Sequence, residues 1–183
     1  LYLLRWNTLH AKTITSAVTQ LNPSHQTSSR PTLEDPISKH AQFIIKNYYF
    51  KPFADGSSRR THGPLHACRV AIIGVILMNL WQRRDSYSYM FNDIDEKYIK
   101  LIQIAMLFHD AGRKAEGVDY WDRDSALLAY QYVLAITKDI NDALLVADAI
   151  ANKDTYDIPW KLIGKDWHKN NSPIIFVRKA HHI

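Results

Sequence analysis

FHDAGRKAEGVDYWDRDS, residues 108–125, closes one apolar run and opens the next. Before it, Tyr98, Leu101, Ile102, Ala105 and Leu107-Phe108 recur at helical spacing, and Asn92 to Asp95 offer cap residues for that helix. After it, Asp122 or Asp124 begins a helix that runs to about residue 136. The stretch between carries histidine, acids, bases and two glycines. A junction of that kind gathers ionisable side chains and free backbone N–H groups round one small polar site, which points to phosphate chemistry.

The rest of the chain reads the same way. Asp35 as N-cap and Pro36 at the first helical position predict a helix to about residue 49. Gly63-Pro64 opens a longer one, with an apolar stripe of Ala67, Val70, Ile73, Leu77, Leu80 and Trp81. Asp139 or Asn141 begins another, ending near Ala151 before the turn Asn152-Lys153-Asp154, and Ser172-Pro173 starts a last one. No strand alternation persists and no repeat is visible, so the expected fold is all-α. Residues 1–34, with the Ser/Pro/Asn-rich NPSHQTSSRP at 22–31, read as an appendage or linker, and 35–183 as the domain. The chain ends at His181-His182-Ile183 inside an expected helix, so the domain reads as truncated at that end.

Composition bounds the function. A chain of 183 residues with 46% hydrophobic content can bury a real core. The lone Cys68 makes no intrachain disulfide, which is compatible with a reducing compartment. No long uncharged apolar run predicts a membrane segment. The formal net charge of +5 favours anionic partners, but the basic residues are scattered, unlike the clustered footprint of a nucleic-acid binder. A nucleotide or pyrophosphate ligand suits it.

The candidate site residues lie at helix ends. His62 precedes Gly63-Pro64, where the helix dipole disfavours imidazolium and so helps keep a nucleophilic imidazole neutral. His66 follows by four residues, either as a second site histidine or as a hydrogen-bonded core residue. His109-Asp110 suits a divalent ion, or alternatively a histidine bonded to helix carbonyls beside an Asp capping the turn. Glu116 is either a solvated surface acid or a carboxylate that orients the nucleophilic histidine.

THGPLHACRV at 61–70, followed by FHDAGRKAEGVDYWDRDSA and then NKD, resembles the phosphodiesterase module of the SidE family. These are bacterial effectors that phosphoribosylate ubiquitin onto serine, together with related enzymes that reverse the linkage. The H…HD spacing also resembles HD-domain phosphohydrolases, which implies a compact, HD-like helical fold. The resemblance implies a metal-independent reaction without cofactor. In it a histidine, matching His62, attacks the pyrophosphate of ADP-ribosylated ubiquitin, releases AMP, and passes the phosphoribosyl group to a host serine or to water. Glu116 matches the supporting glutamate, and His182, with His181 beside it, the second catalytic histidine. His66, Arg69, His109, Asp110, Arg113 and His181 are then expected on the nucleotide or phosphoribosyl-ubiquitin. The resemblance further implies a secreted protein acting in the host cell. Two alternatives stay open: a metal-dependent phosphohydrolase using His66, His109, Asp110 and Asp148 or Asp154, and a module that binds AMP or ADP without turnover.

Overall fold

The computed structural model describes residues 29–53, 55–82 and 96–153, with the backbone alone over 77–82. The described residues from Pro31 onward belong to one unit, Pro31–Ile183. They form α1 (Ile37–Ile44, continued by a π-helical turn over Ile45–Tyr49), α2 (Pro64–Gln82), α3 (Glu96–Phe108), α4 (Asp122–Thr137) and α5 (Ile140–Ala151). No strand occurs among the described residues, and the fold is all-α as expected. None of these helices is long and apolar enough to cross a membrane.

Helix α3 is the centre. Leu101, Ile102, Ile104, Ala105, Met106, Leu107 and Phe108 are all buried, so its second half is apolar except at the half-buried Gln103, as suits a helix with neighbours on most of its faces. Those neighbours are α1, α2, α4 and α5, while α4 and α5 pack on each other as a helical hairpin. Between α1 and α4 the core is specified by a polar contact. Tyr132 on α4 stacks near Phe43 and Phe108, and its hydroxyl lies 2.7 Å from Nδ1 of the buried His40 on α1. Lys97 and Asp142 tie α3 to α5 at 2.8 Å.

Helix starts follow the sequence signals with one correction. Pro64 opens α2, Asp122 opens α4, and Asp139 caps α5 by accepting the Asn141 N–H at 2.8 Å. Asp35, expected as the cap of α1, does not cap it, and Pro36 stands in the cap position. The Asp35 carboxylate instead accepts from the Thr32 N–H at 2.9 Å and Lys39 Nζ at 2.6 Å, because residues 32–35 form a turn of their own. The expected caps at 92–95 and the helix from Ser172 fall outside the described residues.

Gly112 is required for space. A Cβ there would meet the Ser125 nitrogen at 2.4 Å and the Asp124 carbonyl carbon at 2.7 Å, so the loop after α3 lies directly on the first turn of α4. The Gly112 N–H also donates to Ser125 Oγ at 2.9 Å. Backbone atoms cannot swing aside as a side-chain tip can. Gly112→Ala should therefore cost about 1–3 kcal/mol of stability, the usual range for overpacking, and lower Tm by roughly 2–10 °C in a thermal melt. An unchanged Tm would mean that this contact is loose.

Candidate functional site

The C-terminal end of α3 sets the geometry, because a buried helix end must find partners for its last carbonyls. Here each carbonyl finds its own donor. His109 Nδ1–H donates to the Met106 carbonyl at 2.6 Å, the Tyr49 hydroxyl to Leu107 at 2.7 Å, and the Ala111 N–H to Phe108 at 2.9 Å. Arg59 then spans the turn, donating to the carbonyls of Asp110 at 2.9 Å, Ala111 at 3.2 Å and Arg113 at 2.9 Å. Its guanidinium lies 4.9 Å from the Phe53 ring centroid and 5.3 Å from that of Tyr49.

A second clamp lies one turn further on. Glu116 accepts the N–H of Arg60 at 2.9 Å and of Thr61 at 3.4 Å through Oε1, and the Thr61 hydroxyl through Oε2. Burial works to raise the Glu116 pKa, but these donors outweigh it and hold the carboxyl below its ordinary value. Residues 59–61 are thus fastened to 110–116 from both sides, and His62 emerges beside Asp110. Gly63 permits the tight entry into α2, since a Cβ there would lie 2.6 Å from the Arg59 carbonyl oxygen.

Asp110 is the meeting point. Its side chain is fully buried, and its Oδ2 lies 2.8 Å from His62 Nδ1, 3.0 Å from His109 Nε2 and 3.4 Å from His66 Nε2. His66 Nε2 and His109 Nε2 are 3.0 Å apart. Burial alone would raise the Asp110 pKa. Hydrogen bonds from His109, His62 and His66 reverse that and hold it well below the usual carboxylate range. An ionised carboxylate only accepts hydrogen bonds, so His62 must carry its proton on Nδ1. In the neutral form of that ring Nε2 carries the lone pair. Both His62 and His66 keep about a fifth to a quarter of their side-chain surface exposed, whereas His109 has none.

Among the residues anticipated from sequence, His62, His66, His109 and Asp110 form one cluster, and Glu116 joins it through the backbone just before His62. The carboxylate that meets the His62 ring is that of Asp110. His109 bonds a helix carbonyl, as one of its two readings expects, and also faces the cluster, while the group that could hold a metal ion is His62, His66 and Asp110. Arg69 on α2 is exposed. Arg113 is buried: it meets Asp119 Oδ2 at 2.9 Å and the Gly117 carbonyl, and its guanidinium lies 5.7 Å from the Trp121 ring centroid. Here it ties down the loop between α3 and α4. Asp148 accepts from the Asn152 amide at 2.9 Å, while Asp154, His181 and His182 lie outside the described residues.

Sequence reasoning passed over Arg59 and Lys153. Arg59 reads as half of a solvated basic pair with Arg60, and nothing local marks its three carbonyl partners. Lys153 carried a signal in the resemblance motif NKD, but the acids it meets, Asp119 and Asp122, lie over 30 residues away. For a divalent ion, His62, His66 and Asp110 each offer one ligand atom, all within 4.8 Å of one another. To bind one, His62 Nδ1 and His66 Nε2, which now face Asp110 Oδ2, would each have to present a lone pair to the ion, with any remaining ring proton on the other nitrogen.

Because the Asp110 pKa is depressed on folding, its stabilising contribution is complete above about pH 4, the ordinary aspartate value. It is lost as the pH falls from there toward the folded value. Asp110→Asn should therefore lower Tm at neutral pH, with the gap to the unmodified chain narrowing once the pH drops below about 4. A gap that stays constant down the acid limb would mean that Asp110 is not ionised in the folded protein.

No curated protein and no solved structure matches this chain. The sequence model of the SidE phosphodiesterase (PDE) domain matches residues 17–182. That covers nearly the whole chain, the His62–Asp110 cluster included, and the chain belongs to the SidE phosphodiesterase domain family.

Proposed function

We propose that this chain, as a SidE-type phosphodiesterase, acts on the pyrophosphate of ADP-ribosylated ubiquitin, with His62 as the nucleophile. The observation that carries this reading is the 2.8 Å contact between His62 Nδ1 and the buried Asp110 carboxylate. That contact supports a ring proton on Nδ1, with the Nε2 lone pair of the neutral imidazole available for attack. In the proposed step Nε2 bonds to the phosphorus on the ribose side of the pyrophosphate, the bridging P–O bond breaks, and AMP departs with that oxygen. The positive charge that develops on the imidazole faces Asp110, which is already ionised and already bonded to it, so little has to reorganise.

The phosphoribosyl group on His62 then passes to a serine hydroxyl of a host protein or to water, which restores the imidazole. Glu116 contributes by holding the 60–61 backbone and so the ring behind it. His66 and His109 line the side of Asp110 next to His62, where the leaving group and the incoming hydroxyl need polar partners. In this reading His182, with His181, is the acid–base group for departing AMP, Arg69 meets the nucleotide, the catalytic domain is 35–183, and the protein is a secreted effector acting in a host cell.

His62→Ala should abolish AMP release from ADP-ribosylated ubiquitin, measured with purified proteins. Glu116→Ala should slow it by about 10²-fold, the usual size of a lost orienting group. AMP release at the normal rate by His62→Ala would exclude His62 as nucleophile. Tight AMP binding without any release by the unmodified chain would favour a binding module.

The ligand geometry of His62, His66 and Asp110 favours a second reading, a metal-dependent phosphohydrolase. Chelation separates the two. With His62 as nucleophile, EDTA leaves the rate unchanged. Loss of turnover with EDTA and recovery with manganese would establish the metal reading.

A further inference from the structure

The loop that joins α3 to α4 is turned inside out, with its acid covered and its apolar side chains in water. Asp119 keeps only 7% of its side-chain surface, because Oδ2 meets Arg113 Nη1 at 2.9 Å and Lys153 Nζ at 2.8 Å. Its Oδ1 accepts the Trp121 N–H at 2.9 Å. The residues on either side, Val118 and Tyr120, are 67% and 80% exposed. A connection that only had to close the fold would do the reverse, leaving the charge in water and covering the aromatic ring.

The exposed ring is also held in place. Trp121 packs against Tyr120 in a T-shaped pair, with centroids 6.2 Å apart and planes at 79°. Trp121 in turn lies 5.7 Å from the guanidinium of the buried Arg113, which also bonds the Gly117 carbonyl. An aromatic ring fixed in water before a partner arrives loses little freedom on binding, which is what makes tyrosine an effective contact surface.

The partner follows from the position. Glu116, four residues before Tyr120, accepts the N–H groups of Arg60 and Thr61, and His62 comes next in the chain. Four residues span at most about 14 Å when fully extended. Tyr120 is therefore within reach of a nucleotide whose phosphate lies at His62. The three imidazoles there face Asp110 Oδ2, so the base of such a ligand has to find its flat apolar surface elsewhere.

We propose that Tyr120 is the stacking platform for the purine base of the departing nucleotide. The ligand class is a nucleoside monophosphate, held by its phosphate at the histidine end and by its base on the Tyr120 ring. The proposal rests on the reading of this chain as a phosphodiesterase that releases AMP, and it adds where that nucleotide is bound.

Calorimetric titration of the full chain with AMP, and with ribose 5-phosphate as a ligand without a base, tests it. Tyr120→Ala should weaken AMP by about 10-fold or more, the usual loss for one stacked base, and leave ribose 5-phosphate within about twofold. Tyr120→Phe should keep the AMP affinity, since stacking needs the ring and not the hydroxyl. Phe50→Ala, which removes an exposed ring just after α1, should change neither ligand. An unmodified chain that does not bind AMP, or a Tyr120→Ala chain that binds it normally, would overturn the proposal. So would a Tyr120→Ala chain with a raised KM for ADP-ribosylated ubiquitin and normal AMP binding, because the loop would then dock the protein part of the substrate. A chain that binds AMP through Tyr120 but releases none from ADP-ribosylated ubiquitin would sink the phosphodiesterase reading and leave the base site standing.

Discussion

A carboxylate with no exposed surface is the constraint round which this domain is arranged. Removing an ionised aspartate from water is costly, and the protein must return that energy through close donors and opposite charges. Asp110 meets the requirement with a division of labour between its oxygens. One oxygen takes three imidazoles from α2, from its N-terminal approach and from the α3 end. The other faces a lysine from the end of α5 and an arginine from the loop before α4. Four parts of the fold therefore converge on one residue. An account of the site is to that extent an account of the packing.

The same convergence explains why the approach to α2 is so heavily fastened. An N-terminal histidine on a free loop could not stay within 2.8 Å of a buried acid, because the conformational entropy of the segment opposes it. Arg59 and Glu116 remove that freedom by bonding in opposite senses. The guanidinium donates to carbonyls of the 110–113 turn, and the carboxylate accepts N–H groups of residues 60 and 61. Both bond backbone groups, so the polar groups of one loop satisfy those of the other. Glycine at 63 and at 112 then lets the backbones approach to distances that a Cβ would forbid.

Much of this was legible from residue order. Helix starts at Pro64 and Asp122, and the cap at Asp139, follow local chemistry that acts over three or four residues, and so does the apolar run that becomes the centre of α3. Asp35 misled because its carboxylate has two local uses, and the turn with Thr32 won over the cap. Within the site, His62, His66, His109 and Asp110 were identifiable because each sits beside a helix end. The partner of the His62 ring was less so. Glu116 and Asp110 are both acids in the same turn region, and only the direction of the chain after Gly112 tells which one reaches the imidazole. Arg59 and Lys153 were illegible for a related reason: their partners are backbone carbonyls or acids far away in sequence, with no periodicity to announce them.

The imidazoles are set apart by the same distances. His109 Nδ1–H donates to the Met106 carbonyl, and its Nε2 stands 3.0 Å from Asp110 Oδ2. His66 Nε2 lies 3.0 Å from His109 Nε2 and 3.4 Å from the same oxygen, which His62 Nδ1 reaches at 2.8 Å. One carboxylate oxygen therefore fixes three rings, and their exposure follows their place in the chain. His109, just past the buried end of α3, has no exposed side-chain surface, whereas His62 and His66, before α2 and in its first turn, keep about a fifth to a quarter of theirs. The buried acid thus anchors one sealed imidazole behind two that solvent reaches.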